Sequence, residues 1–109
     1  MTDKELIALA AKAAQIEISD WSSSEDGFIR YYFITKYIFN PLKKLDDAMQ
    51  LAISLGIDIE LNGLHTHKFC GAGDWERNIW IQEDVGNCRE DSVMRAIVRA
   101  AAEIGMGMK

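Results

Sequence analysis

Asn40-Pro41-Leu42, leading into Ala48-Met49-Gln50-Leu51-Ala52-Ile53-Ser54-Leu55-Gly56, constrains the fold more than any other part of this chain. Pro41 biases Asn40 away from helical geometry, so the chain turns there. Ala48, Met49, Leu51, Ala52 and Leu55 then share one face of a helix, with Asp46 or Asp47 placed to cap its start. Gly56 supplies the left-handed stop. A turn and a helix with both ends specified form a corner around which the rest must pack.

Two further helices are legible. Thr2-Asp3-Lys4-Glu5 fits a capping box, and Leu6, Ile7, Leu9, Ala10 and Ala13 continue it as one apolar face to about Gln15. Near the C-terminus, Val93, Ile97, Ala100, Ala101 and Ile104 form a core stripe, with Arg95, Arg99 and Glu103 on an exposed one. Asn87 and Glu90 are spaced as a second capping box.

Strand signals lie between the helices. Phe28 to Thr35 is aromatic and β-branched, and Tyr37-Ile38-Phe39 forms a second extended piece. Ile57-Asp58-Ile59-Glu60-Leu61 alternates, and Asn62-Gly63 is a turn signal. Ser19 to Gly27 reads as a polar connection, and His65 to Asp74 as a glycine-bearing loop. Ile79-Trp80-Ile81, within Glu76 to Gln82, reads as a strand. Residues 1–109 are therefore expected to form a single α/β (α+β) domain, with three helices packed on a three- or four-stranded, mainly antiparallel sheet.

Three blocks in order resemble small phage and prophage proteins of the phage ABA-sandwich domain family. They are the opening helix from Thr2 to Ala14, the Asn40-Pro41-Leu42 corner with its helix, and the segment from Cys88 to Gly105. Lys43-Lys44-Leu45 departs from the acidic, glycine-containing linker usual in that family. The resemblance implies an α-β-α sandwich, and it supplies no catalytic residues.

Charge and composition narrow the function. Seventeen acidic against twelve basic residues give −5 and a pI near 4.9, which opposes generic nucleic-acid affinity. No apolar run approaches the roughly 18 residues of a membrane span. The charged N-terminus lacks signal-peptide grammar. The expectation is a cytoplasmic protein of a bacterial host, with no membrane partner and with Cys70 and Cys88 as reduced thiols.

Candidate chemistry concentrates in His65-Thr66-His67-Lys68-Phe69-Cys70, with Cys88 further on. His65, His67, Cys70 and Cys88 have the ligand inventory for zinc but match none of its usual spacings. The plainer alternative is a polar loop tip beside a packed thiol. Cys70 with His65 or His67 also has the makings of a thiol nucleophile and base. Gly71-Ala72-Gly73 lacks the lysine and hydroxyl of a phosphate loop. Asp46, Asp47, Asp58 and Glu60 are explained by a helix cap and the wet face of a strand. The Arg30–Lys44 region mixes Tyr31, Tyr32 and Tyr37 with Lys36, Lys43 and Lys44, in the manner of single-strand nucleic-acid platforms.

The leading expectation is a non-enzymatic, cofactor-free accessory protein that binds a host or phage protein, with inhibition of host defence as an analogy. The expected face carries His65, His67, Phe69, Trp75, Arg77 and Trp80, with self-association as a further use of it. The alternatives are a small metal-dependent or thiol enzyme at His65, His67 and Cys70, and a nucleic-acid module at Arg30–Lys44.

Overall fold

Helix α1 (Asp3–Ala13) begins as its capping box requires: Thr2 Oγ1 accepts from Glu5 N at 3.1 Å, and the Glu5 carboxylate accepts from Thr2 N at 3.3 Å. The side-chain bond with Thr2 holds the Glu5 carboxyl below its ordinary range. The computed structural model describes residues 1–60, 69–84 and 89–108. Asn62-Gly63 and Asn87 lie outside them, so the turn and the second capping box expected there do too.

A three-stranded antiparallel sheet follows: β1 (Trp21–Ser22), β2 (Gly27–Tyr32) and β3 (Thr35–Phe39). This corrects two expectations. The polar connection contains β1, held to β2 by Ser19 N donating to Ile29 O at 2.6 Å and Ile29 N to Asp20 O at 2.9 Å. The aromatic run is not one strand through Thr35, because the chain reverses over Phe33 and Ile34 and pairs Tyr32 with Thr35. Phe33 makes the reversal at φ 58, where a turn usually places glycine or asparagine.

Helix α2 (Leu45–Leu55) ends at Gly56, which is left-handed as expected. Its start differs: Lys44 is the N-cap residue and makes no side-chain cap bond. Asp47 instead accepts from the backbone N of Asn40 at 2.9 Å. Asn40 is nearly fully buried and acts as the joint. Its Nδ2 donates to Asp26 O at 2.6 Å, its Oδ1 accepts from Leu42 N at 3.0 Å, and its carbonyl accepts from Lys43 N and Lys44 N. One residue, through its side chain and its backbone, thus ties the β1–β2 turn, the end of β3 and the start of α2 together.

The second sheet consists of β4 (Asp58–Glu60), β5 (Phe69–Asp74) and β6 (Ile79–Asp84), all antiparallel with β5 central. Phe69 to Asp74 of the expected loop is therefore a strand, and Glu76 belongs to the turn before β6. Helix α3 (Arg89–Met106) packs against α1 and α2 and against β5 and β6. The α/β class, the three helices and the antiparallel pairing are as expected, with the strands divided between two sheets.

Met94, Ala96, Ile97, Val98, Ala100, Ala101, Ala102 and Ile104 are buried, so α3 carries a wider core face than its apolar stripe indicates. The charged stripe is only partly exposed. Arg99 pairs with Glu83 of β6 at 2.6 Å, and Arg95 reaches Asp3 of α1 at 3.4 Å.

Replacing Asn40 by alanine removes a donor from the Asp26 carbonyl and an acceptor from the Leu42 amide at a buried joint. Urea unfolding should register a loss of about 2 kcal/mol or more, since each orphaned buried group costs about 1–3 kcal/mol. An unchanged midpoint would show that the joint does not hold the corner.

Candidate functional site

Small residues along β5 set the geometry of the second sheet's outer face. Cys70 and Ala72 are fully buried on the side toward α3, so Gly71 and Gly73 point the opposite way. Trp80 on β6 lies across them. A Cβ on Gly71 would sit 2.9 Å from Trp80 Cε2, and one on Gly73 2.8 Å from Trp80 Cε3. These glycines form a strand because a neighbouring indole supplies the cover that their own side chains cannot.

Trp75, in the β5–β6 turn, stacks on that indole with ring centroids 5.0 Å apart and planes at 14°. It remains 68% exposed. Asn78, at φ 57, turns the chain back into β6. Arg77 forms an ion pair with Asp74 and donates to the Leu55 carbonyl at 3.5 Å, which places its guanidinium beside the end of α2. Desolvation pushes the Asp74 carboxyl up, but hydrogen bonds from Arg77 and from the Glu76 amide outweigh it and hold the group below its ordinary range. Asp58 lies opposite Gly73 and Glu60 opposite Gly71, so both strand carboxylates belong to this outer face.

Of the residues singled out in the sequence, the structure brings Trp75, Arg77 and Trp80 together. Phe69 opens β5, its backbone paired with Asp84. His65, His67 and Cys88 lie outside the described residues. Cys70 is completely buried, and that burial, followed by the nearby Glu83 carboxylate, pushes its thiol above the ordinary range. A nucleophilic cysteine needs the opposite shift.

The Arg30–Lys44 region splits between the two faces of the β2–β3 hairpin. Arg30, Tyr32, Tyr37, Ile38 and Lys44 line a groove of about 380 Å³ with Asp46, Asp47 and Gln50 of α2. Arg30 donates to Gln50 Oε1 at 3.3 Å and sits 5.7 Å from the Phe39 ring centre. The two aspartates make the groove electrostatically mixed, a poor match for a phosphate backbone. Sequence reasoning missed the hairpin tip: Phe33 is 87% and Ile34 97% exposed. Tyr32-Phe33-Ile34-Thr35 contains no turn residue, so nothing in its composition marked a reversal.

No protein-family model, curated protein or solved structure matches this chain.

The buried Cys70 thiol should resist iodoacetamide in the native protein and react only on unfolding. Peptide mapping after timed alkylation would show this. Rapid labelling under native conditions would mean that the strand opens, and would restore the thiol as a chemical candidate.

Proposed function

We propose that this chain is a non-enzymatic accessory protein of phage or prophage that acts by binding another protein through the outer face of the β4–β6 sheet. The observation that carries this reading is Trp75. Its indole is stacked and directionally fixed on Trp80, yet most of its surface faces solvent. An exposed tryptophan on a rigid platform offers large contact area at small entropic cost, and tryptophan and arginine are the residues most enriched at energetic centres of interfaces. Arg77 stands beside it, oriented by Asp74.

The phage setting is supported by the three sequence blocks, and inhibition of host defence by analogy alone. The burial of Cys70 works against the thiol-enzyme alternative.

Affinity capture from host extract, followed by mass spectrometry, tests the reading with Trp75→Ala and Arg77→Ala as controls. Trp75→Ala should keep the far-UV spectrum and weaken the captured partner by about 30-fold, the loss expected when a central anchor is truncated. Arg77→Ala should also weaken it. Full capture by both variants, correctly folded, would refute the assignment.

A further inference from the structure

The β2–β3 hairpin carries an apolar surface that the fold does not use. Phe33 and Ile34 form its tip and are almost completely exposed, and Tyr31, Tyr32 and Tyr37 behind them are more than half exposed. At the tip itself the rings of Phe33 and Tyr32 meet edge to face, with centroids 4.8 Å apart. The turn also imposes a cost, because φ 58 is strained for a bulky side chain. A glycine or asparagine there would make the same reversal more easily.

Charge is polarised along the same segment. Residues 27–45 hold Arg30, Lys36, Lys43 and Lys44 and no carboxylate, so the formal −5 divides into +4 on this segment and −9 on the rest. Lys36 pairs with Glu25 at 2.9 Å, and Lys43 pairs with Asp26. Both pairs are solvent-exposed, and such pairs exchange partners at little cost.

The register orders these groups by depth. Tyr32 and Thr35 stand next to the tip, then Tyr31 and Lys36, then Arg30 and Tyr37. At about 3.3 Å per residue, the cations lie roughly 7–10 Å behind Phe33 and Ile34. Apolar tip, tyrosine belt and cations follow the sequence of a bilayer surface from acyl boundary to phosphate. An interfacial element buries its apolar part by about 5–10 Å.

We infer that this hairpin is a peripheral membrane anchor: Phe33 and Ile34 enter the acyl boundary of an anionic bilayer while Lys36, the cation nearest the tip, meets its phosphates. Among the described residues no helix is long and apolar enough to cross a membrane, but lying on a surface makes no such demand. A second copy pairing on the free edge of β3 fits less well. Lys36 sits on that edge, and Lys44 Nζ donates to the Ile38 carbonyl at 2.6 Å, an arrangement that guards against edge pairing. This site is separate from Trp75, so either assignment can fail without the other.

Flotation of the full chain with vesicles tests the inference, using equal parts phosphatidylglycerol and phosphatidylcholine, and phosphatidylcholine alone. The protein should float with the anionic vesicles at low salt, detach as salt rises, and bind the neutral vesicles at least about tenfold less. Phe33→Ser/Ile34→Ser should lose binding by about tenfold or more with an unchanged far-UV spectrum. No flotation with anionic vesicles, or equal flotation of the tip variant, would overturn the inference. So would tip-dependent capture of a protein without vesicle binding, which would assign the hairpin to a protein partner.

Discussion

Helix α3 is the element on which everything else is built. α1, α2, β5 and β6 all pack against it. Its buried positions from Ala96 to Ala102 are all alanine, isoleucine or valine. Alanine at Ala96, Ala100, Ala101 and Ala102 lets neighbours approach closely, and a larger side chain there would force them apart at a cost of about 1–3 kcal/mol. The two arginines at its margins act as clamps, Arg99 to β6 and Arg95 to α1. Partly exposed pairs of this kind stabilise weakly, so packing dominates and the pairs fix orientation.

The second organising element is the Asn40 joint. With α3 holding the body together, the β2–β3 hairpin is attached mainly at its base, where Phe28 and Phe39 are buried and Asn40 satisfies four neighbouring backbone groups. Beyond Arg30 the hairpin contributes little to the core. The molecule therefore separates into a body that holds most of the buried core and an arm whose tip is almost wholly exposed. The outer face of the second sheet presents the Trp75–Trp80 stack, a second exposed aromatic feature with a different physical origin. There the indole is displayed because glycines beneath Trp80 leave room for a platform.

Legibility in the sequence followed the type of signal. Helices were readable because capping, periodicity and a terminal glycine agree, as at Thr2 to Ala13 and at Gly56. The α2 start departs from its sequence pattern because Asp47 lies near enough to the helix start to cap it but bonds Asn40 instead. Its bond to Asn40 depends on how the chain folds back at Pro41. β5 was hidden for a different reason: Phe-Cys-Gly-Ala-Gly-Asp has loop composition, and only tertiary cover by Trp80 makes it a strand. The charged stripe on α3 was visible, but its partners Asp3 and Glu83 come from distant elements. At the candidate site, Trp75, Arg77 and Trp80 were found from residue type, whereas Phe33 and Ile34 were not. Strand-forming residues at a tight turn contradict local propensity, and such contradictions concentrate at functional positions.

Native-state hydrogen exchange tests the division into body and arm most directly. Amides from Ala96 to Ile104 in α3, and those of β5, should exchange only through global opening. Amides from Tyr31 to Lys36 should exchange orders of magnitude faster through local opening, because the side chains from Tyr31 to Ile34 are all more than half exposed. Protection of Tyr31 to Lys36 equal to that of α3 would contradict the account, since it would mean that the arm is packed within the cooperative core.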